Sequence, residues 1–141
     1  MQAVYTASAT ATGDGRNGHV RSADGVLDFD LAVPKEMGGP GGALTNPEEL
    51  FAAGYAACFH SALKAAARLA KVTLTDTAVT VDIGIGIGRT EQGSMNLTAT
   101  IEAEIPSVDE TTARQLLEAA HQVCPYSNAT RGNIEVALTV A

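Results

Sequence analysis

Hydrophobic positions in the N-terminal part of the chain alternate with polar ones. Residues 3–12 contain three Thr and one Val and alternate with a period of two, which is typical of a β-strand. Asn17-Gly18 and Asp24-Gly25 are pairs that favour hairpin turns. The pattern therefore predicts three strands, near residues 3–12, 18–23 and 26–33, that form an antiparallel meander.

The next stretch changes to the pattern of a long helix over residues 46–71. Thr45 or Asn46 can cap its start, and Thr45-x-x-Glu48 fits a capping box. No residue from 50 to 59 is charged, so this part of the helix has no polar face that could be exposed to solvent. A helix that is apolar on all faces is normally buried. Charged residues interrupt the apolar run before the roughly 20 residues that a membrane span needs. We expect a buried central helix and no membrane association.

Alternation with a period of two returns in the C-terminal half. Residues 79–88 and 95–105 each place apolar side chains on one face, which predicts a β-hairpin. The glycines at 84, 86 and 88 do not fit a dinucleotide-binding fingerprint, because position 89 is Arg and no helical pattern follows. Residues 134–140 alternate again and predict a closing strand.

A second helix is predicted between the hairpin and the closing strand. Ser107-x-x-Glu110 fits a capping box, and apolar residues then recur at helical spacing up to Cys124, before Pro125 stops the helix. The predicted order is three strands, helix, two strands, helix and strand. This order indicates one α+β domain over residues 1–141.

The length and net charge of the chain limit the classes of function that it can have. The chain has 141 residues, a net charge of −7 and no basic run, so the electrostatic footprint of a nucleic-acid-binding protein is missing. Its first residues lack the features of a signal peptide, which favours a cytoplasmic location. A domain this small has difficulty covering a helix without a polar face. We therefore expect a homodimer with this helix near the shared core.

The two cysteines are the main candidates for chemistry. Cys58 and Cys124 each lie on the predicted inner face of a helix, and two helices in a small domain normally pack together. A cytoplasmic pair that can close a disulfide is more often catalytic or sensing than structural. The spacing is not Cys-x-x-Cys, so thioredoxin-type exchange is not indicated. Two inert buried cysteines remain the alternative.

A reactive thiolate needs a nearby cation or a helix N-terminus. Cys58 is not at a helix N-terminus, and Arg16 is the candidate cation, with Glu48 holding its guanidinium in a bidentate pair. The alternative is that Arg16 is an ordinary turn residue and Glu48 only part of a capping box. Ten residues of straight helix separate Glu48 from Cys58 by about 15 Å. The pair can therefore reach the thiol only if the helix start bends back or a second copy supplies it.

Metal binding is a weaker hypothesis. Cys58, His60, His121 and Cys124 are ligand types that zinc prefers. Cys58 and His60 are two positions apart on a helix and point to nearly opposite sides, so the four cannot form one tetrahedral site. We expect no metal. A Ser-His hydrolase is disfavoured because His60-Ser61 has no strand-to-helix elbow around it.

Two blocks of sequence resemble a known family. They run from Thr45-Asn-Pro-Glu-Glu-Leu-Phe to Cys58-Phe and from Val123-Cys-Pro-Tyr-Ser-Asn to Asn133. Both are similar to the organic hydroperoxide resistance (Ohr) branch of the Ohr/OsmC family, as is the N-terminal part. The resemblance covers essentially the whole chain. One local departure is that Gly13-Asp-Gly-Arg16-Asn-Gly18 has one residue more than the usual Gly-Gly-Arg-Asp-Gly.

The resemblance implies a role for each candidate residue. Cys58 would be the peroxidatic cysteine and Cys124 the resolving one. Arg16 would activate the thiolate, and Glu48 would orient Arg16. The family forms an intertwined homodimer with two active sites at the subunit interface, which agrees with the dimer expected above.

The implied reaction is reduction of alkyl and fatty-acid hydroperoxides to alcohols through a Cys58 sulfenic acid and a Cys58–Cys124 disulfide. A lipoylated protein would supply the reducing dithiol, and no cofactor is bound. Apolar residues such as Phe51, Tyr55 and Phe59 would line the substrate pocket. The alternatives are an OsmC-like peroxidase of broader specificity, a redox-sensing binding module, and a carrier of hydrophobic ligands with incidental cysteines.

Overall fold

The computed structural model describes residues 1–88 and 93–141 and confirms the α+β fold class. Two compact units are present, Met1–Leu50 and Phe51–Ala141. The order of strands and long helices is the predicted one. The described residues also form one additional short α-helix near the C-terminus and two 3-10 helices, Gly15–Asn17 and Lys35–Met37. That residues 1–141 act as a single domain stays a prediction, and the two units are described in turn.

The first unit is built on three short antiparallel strands. They are β1 (Ala9–Thr12), β2 (His19–Ser22) and β3 (Asp28–Asp30), side by side in that order. The predicted turn at Asp24-Gly25 is present, with Gly25 at a φ of +75°. The prediction of a strand over residues 3–12 was too long. Because β2 has only four residues before this turn, β1 finds only four pairing positions.

This first unit has a very small core of its own. Leu31 and Ala32 are the two buried residues among its 50, all of which the structure describes. Three large apolar side chains near the second turn are exposed: Val26 at 79%, Leu27 at 46% and Phe29 at 40%. A unit of this size that buries so little apolar surface is not expected to be stable by itself.

The long helix α1 (Pro47–Leu69) confirms the predicted central helix. Asn46 caps it, because its side-chain oxygen accepts a hydrogen bond of 2.8 Å from the backbone N–H of Glu49. The predicted Thr45–Glu48 capping box was wrong. The Thr45 hydroxyl instead donates to the Glu49 carboxylate at 2.8 Å, and Glu48 pairs with an arginine.

Helix α1 buries one face within the chain. The buried residues are Tyr55, Phe59, Ala62, Leu63, Ala66 and Ala67. On another face Ala53 and Ala57 are exposed, so part of the uncharged stretch is not covered within a single chain. Among the described residues, no helix is both long enough and apolar enough to cross a bilayer.

The second sheet confirms the predicted hairpin and closing strand. Strand β4 (Ala78–Ile87) pairs antiparallel with β5 (Met95–Glu104), and β6 (Val136–Val140) pairs with β5 in parallel. Alternate residues of β5, Ala99, Ile101 and Ala103, are buried in the core. The period of two thus places one face of this sheet in the core, as predicted.

Two helices complete the second unit, α2 (Glu110–Val123) and α3 (Pro125–Thr130). Asp109 caps α2 by accepting a 2.7 Å hydrogen bond from the backbone N–H of Thr112. The predicted Ser107 capping box was wrong, since the Ser107 hydroxyl accepts from a loop N–H instead. Helix α3 was not predicted. Pro125 does end the run of α2, but proline is also favoured at the first position of a helix, and α3 begins there.

Candidate active site

The second unit brings the two cysteines of the chain together. Cys58 lies on α1, and Cys124 lies between α2 and α3. Their sulfur atoms are 3.7 Å apart, and both are free thiols. Cys124 is fully buried, whereas Cys58 is partly exposed. This arrangement offers one thiol to a reagent and keeps the second directly behind it.

The position of Cys124 is set by the two helices that meet there. Its backbone N–H donates to the carbonyl of Ala120 in α2 at 2.9 Å, and its carbonyl accepts from the N–H of Asn128 in α3 at 2.9 Å. Pro125 follows at the first position of α3. Cys124 is therefore the residue shared by the end of one helix and the start of the next.

The surroundings of Cys58 within this unit do not favour a thiolate. Burial raises the pKa of the Cys58 thiol, and the neighbouring Cys124 thiol raises it further. The backbone N–H of Tyr126 acts in the opposite direction, because it hydrogen-bonds the charged form. The net pKa lies above the ordinary value of a cysteine. A nearby cation would lower the pKa of Cys58 and favour its thiolate.

Arg16 and Glu48, both in the first unit, form a bidentate ion pair. The guanidinium donates to the two carboxylate oxygens at 2.9 and 2.8 Å. The Glu48 side chain is 12% exposed and that of Arg16 is 40% exposed. The hydrogen bonds between them lower the pKa of Glu48 and raise that of Arg16. Glu48 also lies in the first turn of α1, where a negative charge interacts favourably with the helix dipole.

A buried group of hydroxyl side chains lies next to the cysteines and was not predicted from the sequence. The fully buried Tyr55 hydroxyl is hydrogen-bonded to Ser127 Oγ at 2.9 Å and to Thr130 Oγ1 at 3.1 Å. Ser127 Oγ is also hydrogen-bonded to His121 Nδ1 at 2.8 Å. Ser127 and Thr130 follow Cys124 at helical spacing, but this signal becomes visible only if Pro125 is taken as the start of a helix.

The three aromatic residues predicted to line a pocket differ in their exposure. Tyr55 and Phe59 are fully buried in the core, so neither offers surface to a ligand. Phe51 is partly exposed, and its ring contacts that of Tyr126 edge-to-face, with 5.9 Å between the ring centroids. Tyr126 was not singled out from the sequence, although it is 39% exposed and follows the buried cysteine by two residues. A role for any of these in substrate binding stays a prediction.

The two histidines considered as metal ligands bind hydroxyl groups instead. His60 Nε2 is hydrogen-bonded to Thr77 Oγ1 at 2.8 Å, and His121 Nδ1 is occupied by Ser127. Burial lowers the pKa of both imidazoles. Across residues 1–88 and 93–141, no three His, Cys, Asp or Glu side chains are grouped closely enough to hold a metal ion.

Comparison with known proteins identifies the family. The model of the OsmC-like protein family matches residues 39–139. The chain belongs to the OsmC-like family. The matched part contains Glu48 and both cysteines, whereas Arg16 precedes it.

Relatives within the OsmC-like family are similar over nearly the full chain. The organic hydroperoxide resistance protein of Xanthomonas axonopodis pv. citri (strain 306) is 51% identical over 138 residues, which cover 98% of this chain and 95% of the relative. The organic hydroperoxide resistance protein OhrB of Bacillus subtilis (strain 168) is 43% identical, with 96% and 97% covered. These matches confirm the Ohr branch of the family that the sequence blocks indicated.

Solved OsmC-like structures confirm the fold. An organic hydroperoxide resistance protein from Elizabethkingia anophelis matches with a TM-score of 0.92 and 54% identity, over 100% of this chain and 99% of that chain. A Legionella pneumophila organic hydroperoxide resistance protein matches with a TM-score of 0.91 and 47% identity, over 99% of both chains. The arrangement of sheets and helices described above is thus shared with this branch.

Proposed function

We propose that this chain is a cysteine-based peroxidase that reduces organic hydroperoxides. The observation that carries the proposal is the pair of free thiols 3.7 Å apart, with Cys58 partly exposed and Cys124 buried. A nucleophile must meet its substrate, whereas a resolving thiol only has to meet the oxidised nucleophile. The names of relatives at 51% and 43% identity support organic hydroperoxides as the substrate class.

The first step is attack of the Cys58 thiolate on the terminal oxygen of an alkyl or fatty-acid hydroperoxide. A sulfur–oxygen bond forms, and the oxygen–oxygen bond breaks. The alkoxide takes up a proton and leaves as the alcohol, and Cys58 becomes a sulfenic acid. Among the predicted pocket residues, Phe51 has surface available to contact the alkyl chain.

In the second step, the Cys124 sulfur attacks the Cys58 sulfenic acid. The sulfur–sulfur bond forms while the hydroxyl group leaves as water, taking the Cys124 proton. A dithiol then reduces the disulfide by thiol–disulfide exchange. We propose a lipoyl group on another protein as that dithiol and the cytoplasm as the compartment. The cycle uses sulfur chemistry alone and needs no bound cofactor.

Arg16 is proposed to supply the cation that Cys58 needs, and Glu48 is proposed to orient it. A guanidinium stays charged at every physiological pH, so its effect on a thiolate would not titrate. The bidentate pair with Glu48 supports this role, because it holds the Arg16 fork in one orientation. This cation is supplied either by the same chain or by the second copy of a homodimer.

The homodimer is the other part of the proposal. It is supported by the small core of residues 1–50 and by the exposed apolar side chains there. The exposed face of α1 at Ala53 and Ala57 supports it too. A second copy that covers these surfaces would remove apolar area from water at a gain of about 25 cal/mol per Å².

The proposed activity is tested by stopped-flow reduction of tert-butyl hydroperoxide with dihydrolipoamide, comparing wild type with Cys58→Ser and Cys124→Ser. We expect turnover in wild type, no reaction with Cys58→Ser, and a halt after one equivalent with Cys124→Ser. A redox sensor would form the disulfide without multiple turnovers. A ligand carrier would be unaffected by either substitution, and either result would contradict the peroxidase.

A further inference from the structure

The buried hydroxyl network connects the three helices that carry the two thiols. Tyr55 contributes from α1, His121 from the last turn of α2, and Ser127 and Thr130 from α3. Tyr55 and Cys58 are three positions apart, so they lie on the same side of α1. Ser127 is the central member, since its hydroxyl joins the tyrosine to the histidine. The network therefore links the helix of Cys58 to both helices that meet at Cys124.

Closing the disulfide demands a small and specific movement. The sulfurs are 3.7 Å apart, and a disulfide bond is about 2.05 Å long, so they must approach by about 1.6 Å. The backbone of Cys124 is hydrogen-bonded to both α2 and α3. Its sulfur can approach Cys58 efficiently only if the junction of these two helices keeps its position relative to α1. The hydroxyl network is one set of contacts that joins this junction to α1, beside the packing of the hydrophobic core.

Other contacts hold the same junction. The Arg131 guanidinium donates to the carbonyl of His121, which lies in the last turn of α2, and to Asn128 Oδ1 at 3.0 Å. The Thr130 hydroxyl donates to the Ser127 carbonyl at 3.2 Å. These contacts stiffen α3 and tie it to α2. Within this group, the Tyr55–Ser127 and Tyr55–Thr130 hydrogen bonds reach back to α1.

We propose that Ser127, with Tyr55 and His121, is a positioning residue for the resolving step and thereby protects Cys58 from overoxidation. This inference rests on the proposed function for the step that oxidises Cys58. The Cys58 sulfenic acid then has two fates. Attack by Cys124 gives the disulfide and water, whereas a second hydroperoxide molecule gives the sulfinic acid and an alcohol. A well-placed Cys124 favours the first fate.

The test compares Ser127→Ala with wild type in two measurements. The first is the equilibrium constant of the Cys58–Cys124 disulfide against dithiothreitol, which reports the effective concentration of one thiol at the other and needs no peroxide. The second is the fraction of Cys58 that gains 32 Da by mass spectrometry during turnover with tert-butyl hydroperoxide. We expect the equilibrium constant to fall, and the overoxidised fraction to rise, by about tenfold or more. Small misplacements of reacting groups have effects of this size.

Thr77→Val is the matched control, because it removes another histidine–hydroxyl hydrogen bond of 2.8 Å, to His60 of α1, which shares no residue with the Ser127 network. It should leave both measurements within twofold of wild type. Tyr55→Phe removes the other hydroxyl of the Tyr55–Ser127 hydrogen bond and should reproduce the Ser127→Ala result. If Ser127→Ala does not fold, Tyr55→Phe decides the question.

The proposal is overturned if both measurements stay at their wild-type values in Ser127→Ala and Tyr55→Phe, whether or not thermal stability falls, since the network would then have no role in positioning the thiols. It is also overturned if Thr77→Val changes both measurements equally. Failure of the proposed function looks different. In that case the wild-type protein would not consume the hydroperoxide, while Ser127→Ala would still lower the disulfide equilibrium constant, and the positioning role would stand.

Discussion

At the scale of single residues, the two thiols differ in the way that a two-cysteine mechanism requires. Cys58 is partly exposed, but burial and the neighbouring thiol raise its pKa, and among the described residues of its own unit the Tyr126 N–H opposes this shift. Neutral hydrogen bonds of this kind shift a thiol less than a full charge does. A permanent cation, which Arg16 is proposed to supply, would favour thiolate formation at Cys58.

The first prediction concerns the partner of that cation. Glu48→Gln removes the charge that holds the Arg16 fork, and should lower the free energy of unfolding at pH 7. Because Arg16 is 40% exposed, solvent screening limits the loss to about 1 kcal/mol. Urea unfolding at fixed protein concentration measures it. Fixed concentration matters because association in the proposed homodimer would also contribute to apparent stability.

The pH dependence of this effect follows from the lowered pKa of Glu48 in the folded state. A carboxyl with a depressed folded pKa stabilises the protein above its unfolded pKa of about 4.3. That contribution is lost as the pH falls through the folded pKa. The difference between wild type and Glu48→Gln should thus be full at pH 7 and shrink below about pH 4.3.

Glu110→Gln serves as the control for this prediction. It removes the carboxylate of an ion pair with Arg114, in which the side chains are 72% and 59% exposed. Exposed pairs of this kind contribute little to stability. Equal effects of the Glu48 and Glu110 substitutions at pH 7 would contradict the special contribution of the Arg16–Glu48 pair.

At the scale of elements, the start of α3 meets α1 through one glycine. A Cβ atom at Gly54 would lie 2.8 Å from the hydroxyl of Tyr126 and 3.3 Å from two of its ring carbons. Alanine at this helix position would otherwise add up to about 1 kcal/mol of helix stability. The glycine therefore allows the Tyr126 ring to lie on α1, with the backbone N–H of the same residue beside Cys58.

Gly54→Ala is predicted to displace Tyr126 and weaken the contact of its N–H with the Cys58 thiolate. The pKa of Cys58 should rise further, and alkylation by iodoacetamide at pH 7 should slow, by about threefold for half a pKa unit. The measurement is the pH profile of alkylation in a Cys124→Ser background. Adding Tyr126→Phe, which removes the nearest atom, should restore much of the rate. A double variant as slow as Gly54→Ala would show that the collision is not the cause.

The elements themselves were largely predictable, because the periods of two and of three to four residues are properties of the local sequence. Helix capping was less so. Asn46 and Asp109 cap α1 and α2, whereas the boxes expected at Thr45 and Ser107 do not form. Neighbouring polar residues compete for the same N–H groups, and tertiary contacts decide between them. The parallel pairing of β6 with β5 is likewise set by the return path of the chain.

The candidate site was predictable only where single residue types carry the chemistry. The two cysteines could be selected because thiols have few roles in such a chain. Arg16 and Glu48 were selected because a thiolate needs a cation and because the family resemblance indicated the same pair. Ser127 could not be selected, since a serine gains its meaning only when folding places it between Tyr55 and His121. The roles of all these residues stay predictions until the variants are measured.

At the scale of the whole molecule, the distribution of apolar surface is uneven. The core of the second unit is built from α1, α2 and the second sheet, whereas the first unit buries Leu31 and Ala32. Contiguous exposed apolar side chains usually mark an interaction site. The side chains of Val26, Leu27 and Phe29 are close in sequence and exposed together. A second copy of the chain is the partner that the proposed homodimer supplies.

Val26→Asp is therefore predicted to weaken dimerisation. Val26 is 79% exposed in the single chain, so a carboxylate there costs little before association but would be buried, without a partner, in an interface. The dissociation constant should rise at least tenfold, which corresponds to about 1.4 kcal/mol. Sedimentation velocity or size-exclusion with light scattering over a dilution series measures the change.

Ile87→Asp provides the comparison, because Ile87 is also 79% exposed but lies at the end of β4 in the second unit. We expect this variant to dimerise like wild type, so that any difference between the two isolates the location of the charge from the charge itself. If the wild-type protein is a monomer at low micromolar concentration, the proposal of a homodimer is wrong. Equal weakening by both substitutions would show that the added charge alone accounts for the loss. The patch at residues 26–29 would then have no special part in dimerisation.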